Sequence, residues 1–567
     1  MSNQGYYGQQ PQYGGPQYPP QSYGGPPPPQ QGYGPPPGQM NYGYPAQGPP
    51  PPQQKQTNTW ARAAMSNTNT AGSIQRITRE IATAQKGTDL SIAVACRDSD
   101  VRHVRALIIG PPETPYEFGF FEFDMKFSKD YPIKPPAVRC ITTNGGRTRF
   151  NPNIYAEGKV CLSILGTWRG NPGEEWSSAQ GLESVLLSIQ SLMSANPYEN
   201  EPGYETHKKE EPNPAAYVAK IRHETLRISV IQRLEAILQL QPDKLEPVLK
   251  KIKSKAAASP PESPQASALA TASNGTSTPS SVHEYDAEAV FNSLDSAQWD
   301  PFADLIKRRF LWYYDAYIRA IETFEKEQRD GTAFKRMEFE YPPNSMEGNF
   351  AYKNLHARME GILAKLNQEK LSWEQSGAQQ VMDGTQLAVM LAFQFKQLAY
   401  KWNEGEKAGR MEISLPNSKN PFVWQLTLFG QPMTNLDGGI FNLKLYIPPD
   451  FPDTQPRVTV ETPIYHHRVS SNGTLCYFPQ KPDEVQSHLE AIAAAIEDKE
   501  STFDPRATVN PDIFEQYWGG DEKRKIYNRK LRRSAQESSL QLDPRYAKTQ
   551  HEWVLTTILQ RLRLLDD

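Results

Sequence analysis

Residues 149–165 read RFNPNIYAEGKVCLSIL. This stretch joins a proline-containing turn to a cysteine, and it places the side-chain amide of Asn153 eight residues before the thiol of Cys161. A thiol is both a good nucleophile and a good leaving group, so one cysteine can accept an acyl group as a thioester and pass it on. A nearby amide can donate a hydrogen bond to the oxyanion that forms during transfer. A buried structural cysteine beside an ordinary Asn-Pro turn has the same pattern, so the stretch alone leaves both interpretations open.

Further motifs flank this stretch in a fixed order. They are GPPETPY at 110–116, GFFEFDM at 119–125, YPIKPPAV at 131–138, WSSA at 176–179 and LESVLLSIQSLM at 182–193. From near Ser73 to beyond Arg227, the sequence therefore resembles the ubiquitin-conjugating enzyme family. Asn151 stands where this family usually has histidine, and the run CLSILGTW after the turn is most similar to the Z-type branch of the family.

The resemblance implies a chemistry for individual residues. Cys161 would accept the modifier from the thioester of an activating enzyme, and Asn153 would either stabilise the oxyanion during attack by a lysine or hold the adjoining loop. A departure at Asn151 weakens no catalytic role, because that position is mostly structural in the family. The resemblance also implies residues that form a polar or acidic gate beside the cysteine or support the site. They correspond to Asn151, Ser163, Glu199, Asn200 and Glu201. An insertion at 167–175 either shapes substrate access or is a tolerated surface loop.

The resemblance also implies partners. We expect ubiquitin or a ubiquitin-like modifier, a ubiquitin-activating enzyme, ubiquitin ligases and protein substrates. The activating enzyme and ligases usually share the first helix and two loops, which here correspond to Arg76, Arg79, Tyr131, Pro132, Ile133, Trp176, Ser178 and Ala179. No cofactor is expected to be bound, since the activating enzyme uses the ATP upstream.

Periodicity predicts an α+β fold for this region. Ile74, Ile77 and Ile81 recur at helical spacing, which predicts a helix over Ser73–Lys86. The predicted strands are Ile92–Cys96, Val104–Ile109, Phe120–Phe127 and Val138–Cys140, and a further helix is predicted over Leu182–Met193. The family resemblance implies that the strands form a four-stranded antiparallel meander followed by C-terminal helices.

The second half of the chain repeats the first. A shift of 320 residues pairs Gly110 with Gly430 and Phe121 with Phe441, and a shift of 315 pairs Cys161 with Cys476. Such a run indicates an internal duplication and predicts a second, divergent domain of the same fold.

The second copy of the reactive stretch has drifted. Arg468 lies eight residues before Cys476, within His466-His467-Arg468, so the proline and the amide of the first copy are absent. The sequence leaves Cys476 open between a possible second thioester site and a binding or scaffolding copy. The two histidines have no other ligand near them in sequence, which argues against a metal site, and we expect none in the chain.

Composition excludes several other classes. A net charge of −3 provides no global attraction to nucleic acid, and four cysteines without paired short spacings argue against a disulfide scaffold. No apolar run reaches membrane-spanning length and no signal peptide is seen, so we expect no membrane and no specific nucleic acid among the partners. A working thiol suits a reducing compartment, which favours the cytoplasm, with the nucleus as an alternative.

The predicted order of segments follows from these observations. It is a disordered Pro/Gln/Tyr/Gly-rich tail at 1–58, a catalytic domain at 70–230, a helical extension at 231–253, a disordered linker at 254–285, a helical connector at 286–370, a second domain at 371–535 and a C-terminal helix at 543–567. Two further hypotheses remain beside a transferase. The second domain, or the whole chain, would be a non-catalytic ubiquitin-binding scaffold, or the tail would make the chain a condensate protein.

Overall fold

A four-stranded antiparallel sheet follows one helix in the first domain, as the sequence predicts. The computed structural model describes residues 59–86, 90–170, 173–240, 299–342, 344–498 and 502–540. The predicted tail, linker and C-terminal helix therefore lie outside the described residues. Within these ranges, no helix combines the length and the hydropathy that a membrane span requires.

The first domain is a meander flanked by helices. Its elements are α1 Thr59–Lys86, β1 Ile92–Arg97, β2 Asp100–Ile109, β3 Phe120–Lys126, β4 Ala137–Cys140, a 3₁₀ turn Ser163–Leu165, α2 Leu182–Ser191, a 3₁₀ turn Pro197–Asn200, α3 Pro212–Glu224, a π-helix Thr225–Gln232 and α4 Arg233–Ile237. The strand predictions are confirmed to within a few residues. α1 begins well before Ser73, because the helix continues into residues that lack the isoleucine spacing on which the prediction rested.

Two long helices form the connector, and the second domain repeats the meander. These elements are α5 Ala303–Glu327, α6 Tyr352–Asp383, α7 Gln386–Asn403, β5 Met411–Ser414, β6 Val423–Phe429, β7 Ile440–Tyr446, β8 Arg457–Val460, α8 Val485–Ile496, a 3₁₀ turn Pro505–Ala507, α9 Pro511–Trp518 and α10 Asp521–Leu540. The strand order is β5-β6-β7-β8. Its register repeats that of the first sheet, since Phe123 pairs with Cys140 and Leu443 pairs with Val460.

The structure moves the predicted boundary at 370/371, because that point lies inside α6. This helix contains no proline and ends at Gly384, whose φ of 63° is the left-handed conformation that glycine adopts most easily. The second domain therefore starts at α7, where Thr385 caps the helix by accepting a hydrogen bond from the Ala388 N–H.

Both faces of the first sheet are covered. Ile108 and Phe123 point into a core that includes residues of α1 and α2, whereas Leu107 and Phe120 belong to a second cluster that includes residues of α5. Alternate residues of a strand face opposite sides, so these strands need apolar residues at consecutive positions.

Helix α5 contacts both domains. The ring of Tyr313 stacks on Phe118 of the first domain with centroids 4.2 Å apart, and Tyr317 donates a hydrogen bond to the Phe118 carbonyl at 2.7 Å. On the second domain, Trp312 meets Phe478 edge-to-face at 5.4 Å. Aromatic packing of this kind fixes the two domains against the same helix.

Candidate active site

The loop that carries Cys161 is pinned to strand β4. The Cys140 N–H donates to the Gly158 carbonyl at 2.8 Å, and Gly158 has a φ of 94°. A Cβ on Gly158 would lie 2.3 Å from the Cys140 carbonyl oxygen. Both observations require glycine at this position. The glycine therefore allows the loop to lie close against β4, and this contact helps to fix the position of Cys161.

Asn151 builds the turn before the cysteine. Its side-chain oxygen accepts from the Asn153 N–H at 2.9 Å, while its amide donates to the Tyr116 hydroxyl at 3.0 Å and to the Leu192 carbonyl at 2.8 Å. The side chain is fully buried. A buried amide with this many partners supports the structural role that the resemblance implies for Asn151.

Asn153 forms hydrogen bonds with both backbone polar groups of Cys161. Its amide donates to the Cys161 carbonyl at 3.0 Å, and its own backbone carbonyl accepts from the Cys161 N–H at 2.8 Å. The Asn153 side-chain oxygen is buried and finds no hydrogen-bond partner among the described residues. This geometry favours loop-holding over a donor already directed at the oxyanion.

The Cys161 thiol opens into a cavity of about 280 Å³. The walls combine carboxylates, aromatic rings and one guanidinium, and they are formed by Arg149, Pro152, Asn153, Tyr155, Cys161, Trp168, Glu199, Asn200, Glu201, Pro202 and Glu205. Three carboxylates in one cavity provide a site that attracts a cationic group such as a lysine ammonium.

Tyr155 lies beside the reactive sulfur. Burial and the neighbouring Cys161 thiol raise the pKa of Tyr155. The guanidinium of Arg149 lies 4.7 Å from the centre of the Tyr155 ring, within cation–π distance. No motif in the sequence singles out Tyr155, although its place within the 149–165 stretch puts it six residues before the thiol.

The predicted gate residues differ in their contacts. Asn200 lines the cavity and also donates to the Leu192 carbonyl at 3.0 Å, beside Asn151, so it supports the turn as well. Glu199 and Glu201 line the cavity, and Glu201 pairs with Arg149 at 3.1 Å. Burial raises the pKa of the Glu201 carboxyl although Arg149 opposes this shift, which favours Glu201 over an exposed carboxylate as a proton acceptor.

Ser163 does not line the cavity, whereas the insertion reaches it. Trp168 is half exposed and forms part of the cavity wall. Gly170 packs on Ser163, because a Cβ on Gly170 would lie 2.4 Å from the Ser163 Cβ. The insertion therefore contributes to the cavity wall through Trp168, which is compatible with the first of the two interpretations.

The predicted partner-binding residues meet on one surface around Glu80. The Glu80 carboxylate accepts from Arg76 at 2.8 Å, from the Tyr131 hydroxyl at 2.5 Å and from the Leu182 N–H at 2.9 Å. It thereby joins α1, the loop after β3 and the start of α2. The set around it divides into side chains that are exposed, namely Arg79, Ile133, Ser178 and Ala179, and side chains that are partly or fully covered, namely Arg76, Tyr131, Pro132 and Trp176.

Comparison with known proteins agrees with this geometry. The model of the family described as "Ubiquitin-conjugating enzyme" matches residues 76–225 and 395–530, which together make just over half of the chain. The chain belongs to the ubiquitin-conjugating enzyme family. Both halves match the same family, so the duplication seen in the sequence is a duplication of this domain.

Individual relatives match less than a third of the chain. The chain is 48% identical over 180 residues to the ubiquitin-conjugating enzyme E2 Z of Xenopus tropicalis, covering 31% of this chain and 55% of that protein. It is 49% identical over 162 residues to human E2 Z, covering 28% and 44%. It is 40% identical over 175 residues to the human dual E2 ubiquitin-conjugating enzyme/E3 ubiquitin-protein ligase BIRC6, covering 29% and 4%. The chain thus spans about half the length of the E2 Z relatives.

The second family domain keeps the turn of the first, contrary to the loss suggested by its sequence. The Arg468 N–H donates to His466 Nδ1 at 3.2 Å, as the Asn153 N–H donates to Asn151. The Cys476 N–H donates to the Arg468 carbonyl at 2.8 Å, as in the first copy. An imidazole can accept this hydrogen bond as well as an amide can, so the turn survives without its proline.

Cys476 nevertheless lacks access. Its side chain is fully buried in a cluster that includes Phe310, Trp312 and Tyr313 of α5. Burial raises the pKa of the Cys476 thiol to about 11. This environment does not favour a second thioester site, because a nucleophilic thiol needs both ionisation and access.

The contrast between the two thiols predicts a difference in alkylation. In the native protein at pH 8, iodoacetamide should leave Cys476 unmodified, because a thiol with a pKa near 11 is roughly 0.1% thiolate at that pH. The same reagent should modify Cys476 after denaturation. Peptide mass mapping measures both states, and modification of native Cys476 at a rate comparable to Cys161 would contradict the buried site.

The expectation that the paired histidines lack other ligands is wrong. Ligand atoms of His466, His467 and Asp498 lie within 4.8 Å of one another. Burial lowers the pKa of His466 to about 3 and also lowers that of His467, so both imidazoles are neutral. His466 Nδ1 accepts the hydrogen bond of the turn, and His467 lies 3.2 Å from the Tyr527 hydroxyl through Nδ1 and 3.4 Å from Asp498 through Nε2. His466 Nε2 is buried and has no hydrogen-bond partner among the described residues.

Proposed function

We propose that the protein is a ubiquitin-conjugating enzyme whose Cys161 accepts ubiquitin or a ubiquitin-like modifier and passes it to a substrate lysine or to a ligase. The observation that carries the proposal is the position of the thiol. Cys161 opens into an acidic cavity on a pinned loop, whereas Cys476, its counterpart in the same chain, is enclosed.

Loading of the thiol requires a thioester exchange. The Cys161 thiol loses its proton, and its sulfur attacks the carbonyl carbon of the modifier held on the activating enzyme. The C–S bond to the activating enzyme then breaks, and that enzyme's thiolate leaves with the electron pair. Tyr155 lines the same cavity as Cys161, and its hydroxyl can donate a hydrogen bond to the sulfur as charge develops there.

Transfer to lysine requires a neutral amine. The carboxylates of Glu199 and Glu201 attract the ammonium, and Glu201, with its raised pKa, can accept the proton as the nitrogen attacks the thioester carbonyl. The tetrahedral intermediate collapses to an isopeptide bond, and Cys161 leaves as thiolate. These steps regenerate the free thiol for the next cycle.

Removing the amide of Asn153 should slow both steps. Asn153→Ala loses the hydrogen bond to the Cys161 carbonyl, so the cysteine is less well fixed, and we expect a loss of about 5- to 10-fold in loading and in discharge to free lysine. Single-turnover kinetics measure the two steps separately. A loss confined to discharge, on the order of 10²-fold or more, would instead assign the oxyanion role to Asn153.

The experiment that tests the proposed function is a loading assay. The full chain is incubated with activating enzyme, ATP and ubiquitin, and the products are separated with and without thiol reductant. We expect an adduct that reductant removes. If ubiquitin and a panel of ubiquitin-like modifiers, each with its own activating enzyme, all fail to form such an adduct, the proposal is wrong.

For the second domain we propose a non-catalytic role as a scaffold. The burial of Cys476 beneath α5 supports this role, because the face that would carry chemistry is used to pack against the connector. Asp315 on α5 accepts from the Ser471 N–H at 2.7 Å and from its hydroxyl at 2.6 Å, which fixes the loop before Cys476 to the same helix.

A further inference from the structure

One segment between α5 and α6 packs against the first domain although it lies outside both family-matched regions. We call residues 335–342 and 344–346 the connector loop. Met337, Phe339 and Met346 of this loop are buried members of the core of the first domain. The loop is thus joined to a domain whose family-matched region ends at residue 225, more than a hundred residues before it in sequence.

A buried ion pair anchors the connector loop. Lys220 on α3 and Glu340 are both fully buried, and the Lys220 ammonium lies 2.5 and 2.6 Å from the two carboxylate oxygens of Glu340. The same ammonium donates to the Lys335 carbonyl at 3.2 Å, and Glu340 also accepts from the Met337 N–H at 2.8 Å. A buried pair with additional hydrogen bonds permits one arrangement of the loop, because any other would leave a charge unpaired.

From this anchor, Phe339 reaches the wall of the Cys161 cavity. Its ring meets Tyr198, in the 3₁₀ turn that carries Glu199, with centroids 5.2 Å apart, and it lies 5.8 Å from the Arg149 guanidinium. The Phe339 carbonyl accepts from Arg149 at 3.5 Å. Arg149 in turn pairs with Glu201 and lies over the Tyr155 ring.

Asn344 makes a second connection. Its side-chain oxygen accepts from the Ala156 N–H at 3.0 Å. Ala156 follows Tyr155, whose side chain lines the same cavity as Cys161. Two independent contacts of the connector loop therefore converge on the side chains that surround the sulfur.

We propose that the connector loop is a positioning element of the Cys161 site, with Phe339 and Asn344 as positioning residues that act through Arg149 and Tyr155. Neither residue lines the cavity, so neither is catalytic. This role rests on the proposed function in one respect, namely that Cys161 is the reactive thiol. It means that the first family-matched region needs a distant part of the same chain to complete its site.

Asn344 provides a test with a matched rescue. Asn344→Leu removes the acceptor for the Ala156 N–H, whereas Asn344→Asp keeps an oxygen in the same place. The control Asp330→Ala alters the connector away from the site, where Asp330 caps α6 by accepting from the Tyr352 and Lys353 N–H groups. All variants are made in the full chain.

The readout is the rate at which iodoacetamide modifies Cys161, followed by peptide mass mapping over a series of pH values. We expect Asn344→Leu to react at least about threefold more slowly than wild type across the series, because Tyr155 is no longer held in the wall of the Cys161 cavity. Asn344→Asp and Asp330→Ala should react like wild type. Phe339→Leu, which keeps an apolar side chain but removes the ring from Tyr198 and Arg149, should show the same slowing as Asn344→Leu.

An unchanged rate in both Asn344→Leu and Phe339→Leu would overturn the proposal, and so would an equal change in Asp330→Ala. The buried Cys140, whose pKa burial raises to about 12, reports unfolding within the same experiment, because it becomes reactive only if the domain opens. Alkylation needs no modifier or activating enzyme. The positioning role can therefore fail or hold independently of the loading assay.

Discussion

Replacing Cys161 by alanine is expected to abolish the modifier adduct, and replacing it by serine is expected to change the chemical nature of the adduct. A serine hydroxyl on the same loop can form an oxyester, which thiol reductant does not cleave but hydroxide does. The pinned backbone, fixed by Gly158 and Asn153, should present serine where the thiol stood. Gel separation after treatment with reductant or with alkali distinguishes the two bonds.

The control for this experiment is Cys476, the counterpart of Cys161 in the second domain. Cys476→Ser should load like wild type, since Cys476 is enclosed beneath α5. Two results would contradict the assignment to Cys161. One is a reductant-labile adduct that persists in Cys161→Ala, and the other is an adduct that disappears in Cys476→Ser while the protein stays folded.

Gly158→Ala should be the most damaging single substitution in the loop. The φ of 94° costs an alanine about 1–2 kcal/mol, and the new Cβ would overlap the Cys140 carbonyl oxygen of β4. The overlapping atom is a backbone oxygen of a strand, which has little room to relax, so we expect a total destabilisation of about 2–5 kcal/mol for the loop and near-complete loss of loading.

Gly166→Ala is the matched control, because Gly166 also has a positive φ, 65°, but its Cβ would meet nothing within 4 Å. It should cost only about 1–2 kcal/mol and leave loading largely intact. Thermal denaturation and the loading assay measure both effects. Equal losses in the two variants would show that the contact between the loop and β4 is not what positions Cys161.

Local patterns were sufficient to predict the sheets. The alternation in β3 is a pattern of neighbouring residues, and the 320-residue repeat shows as the same short motifs occurring twice. The structure and the family match confirm both. The turn around Asn151 was readable only in part, because its hydrogen bond with the Asn153 N–H is local, whereas its bonds to Tyr116 and Leu192 join residues distant in sequence.

Contacts between residues distant in sequence could not be predicted from the sequence pattern. Glu80 joins three segments, yet in α1 it reads as an ordinary helix glutamate beside Arg76. Phe339 and Asn344 lie in a segment without secondary structure, and their partners are nearly two hundred residues away. Cys476 kept its place in the repeat, but only the packing of α5 reveals that it is covered.

The second turn shows why residue identity alone misled. His466-His467-Arg468 shares no residue with Asn151-Pro152-Asn153, yet the same backbone N–H is satisfied at 3.2 Å by an imidazole in place of an amide. Backbone geometry was retained while the side chains changed. Access to the thiol, in contrast, differs between the two copies, because residues of α5 pack against Cys476.

The central claim is that one of two equivalent cysteines carries the modifier. Intact mass spectrometry of the loaded full chain, quenched without reductant, tests it most directly, with wild type, Cys161→Ala and Cys476→Ala measured side by side. The account predicts one modifier per chain in wild type and in Cys476→Ala, and none in Cys161→Ala. Two reductant-labile modifiers on the wild-type chain, or one remaining in Cys161→Ala, would contradict it.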